Sequence, residues 1–545
     1  MISLPQSASM TLGRWRSAAR LLAGLLGGLL LAGCATGPLS EGPRLLDRLG
    51  GPGAARCLMF FDELDRLAQV LQVRDGGSHP VSGYPFLRAD RFLASFADRR
   101  QASVSAGEDA GFATWVERMR GLDAAARAIE VANLPDSAFP LLRDWSRDEI
   151  GPQVDACGRQ LTELLVKDAA ARVDLRRRID VPDDYSSLRR ALGLYPLTGI
   201  GYSSSVRNWQ GHTRQVFLEQ RKAMGNGLIA LQQYRPSDTA ASPAAALARS
   251  REIMSQVPRD ALGIPQLSMQ AQTQLLQAFA PTFVVATGAD SDRFGALHWV
   301  DLKGLVSSGS DPIWLDVDTS RPVVYHRIAF TRIKGVILPQ LIYEIWFSER
   351  PKQEVGDLHG GRLDSLIWRV TLDDQGQPLI YDSIHGNGRF SMEFPTQRAR
   401  PRARPEGEAL IDWVFVPIDQ TVERWVGAPA VAGLALFISS QTHQIVGLGQ
   451  PDAVWGEPQL GNPPYALVAD DQLRVLSLPN GGSRSIFDRD GIVPGSERLG
   501  RYFFWPMGVA NAGAIRQWGR QPTALIGRRH FDDPDVIDRR FEWLR

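Results

Sequence analysis

From Cys57 onward the apolar positions recur at spacings of three and four. Leu58, Phe61, Leu64, Leu67, Val70 and Leu71, with Asp62, Glu63, Asp65 and Arg66 between them, predict an amphipathic helix. The same spacing predicts helices around residues 87–97, 112–131, 154–175 and 249–257 and over Met269–Phe279. Pro182-Asp183-Asp184-Tyr185 ahead of Leu188, Leu192 and Leu194 reads as a helix start, and residues 195–205 as a loop. Past Ala280-Pro281 the period falls from near four to two. Strands are expected at 281–288, 313–317, 323–333, 336–347, 363–372, 378–384, 389–394, 410–416, 434–440, 445–448, 466–469 and 473–478. Short Gly, Asp and Pro turns between them favour antiparallel pairing. The clearest hairpin spans 363–384 around Asp373-Asp374-Gln375-Gly376; with Asp373 opposite Gln377, Arg369 falls opposite Tyr381 and Trp368 opposite Asp382. A slip of one residue would exchange the two faces. At the end of the chain, Asp533 as N-cap and Pro534 at the first helical position predict a terminal helix over 536–544.

These elements predict an α+β protein. A mainly helical region, 54–280, precedes a mostly antiparallel β-rich domain, 281–545, that ends in a helix.

The first residues change the picture of where this body works. Arg14, Arg16 and Arg20 precede an apolar run, 21–34, that is shorter than the roughly 20 residues of a membrane span and ends on Leu31-Ala32-Gly33-Cys34. This layout resembles the signal peptide and lipobox of bacterial lipoproteins. The resemblance implies removal of residues 1–33, lipid on Cys34 and a tether over 34–53. Ala35 and Thr36, where an Asp would signal retention at the inner membrane, imply the outer membrane, with the body facing the periplasm. Three Arg leave with the signal peptide, taking the formal net charge from +1 to −2 and arguing against nucleic acid as a partner. Hydrophobic content of 44% predicts a folded body. Its longest apolar run, 425–438, is too short to span a bilayer, so membrane contact rests on the lipid, and an envelope protein or the cell wall is the expected partner.

Outside the cytoplasm, Cys57 and Cys157 are expected to form a disulfide joining two helices. Candidate chemistry centres on His359 and His385, at the two open ends of the 363–384 hairpin, where antiparallel pairing brings chain ends together. With Asp382 or Asp364 they form a candidate metal site, or a general base oriented by a carboxylate. Their spacing matches no metal motif, and the sequence points to no cofactor. Ser203 follows Gly201 but precedes Ser205, so it lacks the glycine a nucleophile elbow requires. His326 and Glu344, within apolar strands, are expected in structural pairings with Arg327, Arg332 or a neighbouring strand. Four Arg in Arg398-Ala-Arg-Pro-Arg-Ala-Arg-Pro405 read as a solvated insertion. The preferred function is non-enzymatic, a lipid-anchored binding or structural protein of the envelope. The alternative is a metal-dependent or acid/base envelope hydrolase using His359, His385 and Asp382.

Overall fold

The computed structural model describes residues 51–97, 108–142, 146–223, 230–237, 242–302, 313–406, 413–428, 432–451, 463–523 and 528–545. Cys34, the signal peptide and all but the end of the tether lie outside them. Residues from Leu46 to Arg545 belong to one compact unit.

Helix α1 (Pro52–Val70) carries Pro in its first turn, as a helix start tolerates, and buries Leu58, Phe61, Leu64 and Leu67. Strands β1 (His79–Val81) and β2 (Tyr84–Ala89) pair antiparallel across Gly83, whose φ of 83° favours glycine. The helix expected over 87–97 is therefore a strand followed by one turn, α2 (Arg91–Ala94), capped by Asp90. Tertiary partners override the spacing here. Arg88 is buried against Asp123 and Glu130, 3.1 and 2.7 Å away on α3 (Glu108–Ala132). Helix α4 (Arg147–Lys167) starts on Ser146, whose amide and hydroxyl both donate to Glu149. The single helix expected over 154–175 breaks at Asp168, which caps α5 (Ala169–Arg178). Cys57 on α1 is bonded to Cys157 on α4, with Cα atoms 5.2 Å apart.

After α6 (Ser187–Leu192) comes α7 (Tyr195–Ala223), so the expected loop over 195–205 is the start of a long helix. Ser203 and Ser205 donate to the carbonyls of Gly199 and Gly201, four residues back. Tyr202 and Val206 pack with Phe504 and Met507, and this packing holds a segment whose glycines would each cost about 1 kcal/mol.

The next elements are β3 (Leu231–Pro236), α8 (Pro243–Gln256), α9 (Met269–Phe279), β4 (Thr282–Ala286), β5 (Ala296–Asp301), β6 (Ile313–Asp318), β7 (Val323–Ile333), β8 (Val336–Arg350), β9 (Gly361–Leu372), β10 (Pro378–His385), β11 (Met392–Pro395) and β12 (Ala399–Pro401). They are followed by α10 (Val422–Val426), β13 (Ala435–Ile438), β14 (Ile445–Gly449), β15 (Pro464–Ala469), β16 (Leu476–Ser477), β17 (Ser483–Arg484), α11 (Arg501–Phe504), α12 (Val536–Arg540) and β18 (Phe541–Trp543). Ten strands form one sheet in the order β11-β10-β9-β8-β7-β15-β3-β4-β13-β14, antiparallel except at β7–β15, β15–β3 and β4–β13. The α+β class and the predominance of antiparallel pairing agree with the sequence. The division at Pro281 does not appear as a seam, because β3 comes from the helical region and lies between β15 and β4. On one face, Phe217 of α7, Leu275 and Phe279 of α9 and Trp425 of α10 share a core with Leu341, Tyr343, Trp368 and Tyr381 of the sheet. Trp346 lies in a separate core with Leu297, Leu315 and Val317 of the β5–β6 hairpin.

In the β9–β10 hairpin Asp373 N does bond Gln377 O, at 2.8 Å, as expected. The ladder then steps from Pro378↔Leu372 to Ile380↔Thr371, leaving Leu379 as an extra residue. That bulge puts Asp382 opposite Arg369 and Trp368 opposite Ser383, one residue from the register the turn alone implied. The terminal helix is also shorter than expected. It stops at Arg540, and the chain pairs as β18 with β12, burying Phe541 and Trp543. The arginine-rich segment is thus partly a strand, with Arg398 3.0 Å from Asp373 and Arg400 2.6 Å from Glu542.

Candidate functional site

The structure does not bring His359, His385 and Asp382 together. Asp382 and His385 are three residues apart on β10, so their side chains point to opposite faces of the sheet. Asp382 is held by Arg369 through two hydrogen bonds of 2.8 and 2.7 Å. His359 lies against Arg389, and His385 has its Nδ1 3.5 Å from Asp364. The two imidazoles share one neighbour, Phe390, whose ring centre is 6.2 Å from that of His359 and 5.1 Å from that of His385. Among the described residues no group of three or more His, Cys, Asp or Glu is placed to hold a metal ion.

His385 instead ends a buried chain that spacing along the sequence did not reveal. His443 Nδ1 lies 2.9 Å from Asp364, and its Nε2 lies 3.7 Å from Asp292. Asp292 also accepts from Gln441 N at 2.6 Å and Ser440 Oγ at 2.7 Å, fastening the turn that carries His443 at a φ of 53°. Burial alone would drive the His443 imidazolium toward neutrality, but its two carboxylates outweigh it and raise its pKa. For Asp364, burial is likewise outweighed by the two histidines, which hold it far below the usual carboxylate range. Burial dominates at His385 and lowers its pKa despite Asp364. His443 stacks on Phe347 with ring centres 3.8 Å apart and is fully buried. With both nitrogens facing carboxylates, it fastens the turn to β9.

Glu344 and His326 were expected in structural pairings. Arg327 is taken by Asp470, at 2.6 Å, rather than by Glu344. Burial pushes the Glu344 carboxyl up to about 8 from an ordinary 4.5, with Ser365 pulling weakly the other way. A carboxyl raised in the fold contributes stability below its unfolded pKa and loses it as pH rises toward the folded one. Glu344→Gln should therefore be nearly neutral at pH 4.5. Its advantage should grow by up to roughly 1.4 kcal/mol for each pH unit up to about 8. Urea unfolding at pH 5, 6.5 and 8 checks this, and a pH-independent difference would refute it.

A cleft beside β7 follows from how that strand ends its pairing. β15 covers β7 only as far as His326. β7 and β8 are joined by Lys334-Gly335, both at left-handed φ (48° and 79°), and pair without a register shift. In such a two-residue hairpin Ile333 and Val336 exchange hydrogen bonds, so alternation turns the N–H and C=O groups of Ile328, Phe330 and Arg332 away from β8. Arg332 N donates to Pro534 O at 2.7 Å. On the side turned away from β8, Ile328 and Phe330 meet no strand among the described residues, and both line a cleft of about 640 Å³. Arg118 and Leu122 of α3, Gln340 of β8 and Trp518 also line it. His326, lowered in pKa by burial, lies at the end where β15 stops. The volume is that of an ordinary small-ligand site, roughly 300–1,000 Å³.

No spacing in the sequence links residues 292, 364, 385 and 443, and nothing in it shows where β15 stops against β7; both depend on strand order. Comparisons of this chain with protein-family models, with curated proteins and with solved structures found no match.

Proposed function

We propose that this chain is an envelope lipoprotein, anchored through lipid on Cys34, whose body binds an extended peptide segment of another envelope protein along the open edge of β7. The observation that carries the binding reading is the cleft itself. Outward-facing backbone groups of Ile328 and Phe330 supply the main-chain bonds of strand addition, and Trp518, Phe92 and Leu122 supply apolar contacts for alternate side chains. The anchor is supported by Leu31-Ala32-Gly33-Cys34 behind a basic, apolar leader. Among the described residues no helix is long and apolar enough to cross a membrane.

Each half has its own test. Cys34→Ser should move the protein from the membrane to the soluble fraction, and unchanged fractionation would remove the anchor. For the cleft, the purified body should enrich sequences from a random peptide display library. Ile328→Pro should then weaken the selected peptide roughly tenfold or more while the protein keeps its unfolding midpoint, because proline is tolerated where a strand's N–H faces outward. Absence of enrichment, or full binding by a folded Ile328→Pro variant, would overturn the reading.

A further inference from the structure

Most deeply buried arginines in this protein are met by carboxylates. Arg88 faces Asp123 and Glu130, Arg369 faces Asp382 and Arg540 faces Glu393. Arg350, Arg389 and Arg498 break that pattern. They are 6%, 5% and 2% exposed, and among the described residues none has a carboxylate oxygen within 4.0 Å. Their hydrogen bonds end on neutral acceptors. Arg350 Nη1 donates to Thr442 O at 2.7 Å, Arg498 Nη1 to Arg362 O at 2.7 Å and Ser496 O at 2.8 Å, and Arg389 Nη1 meets Nδ1 of His359. Arg350 Nε, Arg389 Nη2 and Arg498 Nε are buried with no hydrogen-bond partner among the described residues.

The three side chains form one group. A Cβ added to Gly513 would lie 3.0 Å from Arg389 Nη2 and 3.1 Å from Arg498 Cβ, and one added to Gly361, which pairs with Arg350, would lie 2.6 Å from Arg498 Nη1. Phe390 has Arg350 Cζ 5.4 Å and the His359 ring 6.2 Å from its centre. Burial, with Arg498 and Arg350 as neighbours, brings the Arg389 guanidinium down to about 10 from 12.5. Asp364, Glu497 and Asp357 act on Arg498 only from beyond ion-pair range. Asp364 is engaged by His443, and Asp357 accepts from the amides of Gln353 and His359 at 3.1 and 2.8 Å. Buried cations without a counter-charge are costly, and three of them gathered together favour binding of an anion.

We propose that Arg350, Arg389, Arg498 and the partly exposed His359 form a binding site for a small oxyanion of the phosphate class. Guanidinium N–H groups match the oxygens of such an ion in charge and geometry. His359, with Nδ1 accepting from Arg389, carries its proton on Nε2 and adds a donor at the solvent side. This inference is independent of peptide binding in the cleft.

The test is thermal unfolding of the purified protein in phosphate-free buffer, with inorganic phosphate added at constant ionic strength set by chloride. The wild-type midpoint should rise and saturate with phosphate. Arg389→Met should be at least as stable as wild type without phosphate, because an unmatched buried charge is gone, and should lose the phosphate response. No response in wild type, or a wild-type response in Arg389→Met, would overturn the proposal. If Arg389→Met does not fold, His359→Gln carries the test. About a tenfold loss of apparent phosphate affinity supports the site, and an unchanged affinity refutes it. Glycerol 3-phosphate in parallel distinguishes an esterified phosphate, which would act at lower concentration, from the free ion, which would act better alone.

Discussion

Arg369→Met should destabilise the protein by about 3–5 kcal/mol, the usual loss when one partner of a buried ion pair is removed. Arg369 and Asp382 are opposite each other on β9 and β10, each 2% exposed or less, and joined by two hydrogen bonds. The guanidinium also donates to Phe531 O and lies over the Phe531 ring, with Cζ 3.7 Å from its centre. Burial already raises the Asp382 pKa, and the Arg369 charge is the main influence opposing it. Without Arg369 the carboxylate is left with the more distant pull of Arg540, so the loss should shrink at low pH, where Asp382 takes up a proton. The double variant Arg369→Met with Asp382→Leu should recover most of the loss, since apolar residues often replace a buried pair at little net expense. Urea unfolding of the two single variants and the double measures this. Single variants within about 1 kcal/mol of wild type would show that the pair carries little of the hairpin's stability.

The second large effect is expected at Cys57 and Cys157. They are 100 residues apart in the chain, and their bond ties α1 to α4. Changing both to Ala should lower the unfolding free energy by about 2–5 kcal/mol, with the chain-entropy estimate for a loop of this length near the upper end. Most of that loss acts through the greater freedom of the unfolded chain, so the folded spectrum should hardly change. The unmodified protein should run faster on a non-reducing gel than after reduction, and labelling of both thiols without reductant would refute the bond. Helix α1 is also held by the burial of Leu58, Phe61, Leu64 and Leu67 and by Asp65, 3.0 Å from Arg127, so the fold should persist without the covalent link.

The candidate chemistry was only partly legible in the sequence. His359 and His385 have one neighbour in common, Phe390, whose ring centre is 6.2 and 5.1 Å from theirs. Their partners were not legible. Asp382 was lost to Arg369 through a single extra residue at Leu379, which exchanged the faces of β10 beyond it. His443, which occupies a turn, meets Asp364 of β9 on one side and Asp292, in a short turn before β5, on the other only after strands far apart in sequence are placed side by side.

By itself the sequence determined the α+β class, the helix over Met269–Phe279, most strands after Pro281 and the pairing of Cys57 with Cys157. These follow from local spacing, from turn residues and from having two cysteines in the body of the chain. Tertiary structure decided the rest. It turned residues 195–205 into helix by packing Tyr202 and Val206, put β3 between β15 and β4, and ended the terminal helix at Arg540 to bury Phe541 and Trp543. It also left the edge of β7 at Ile328 and Phe330 without a strand partner, and gathered Arg350, Arg389 and Arg498 with no carboxylate in ion-pair range, among the described residues. The physical reason is the same in each case: local periodicity specifies which face of an element is apolar, whereas its neighbours are chosen by long-range burial and charge, which the order of residues along the chain does not display.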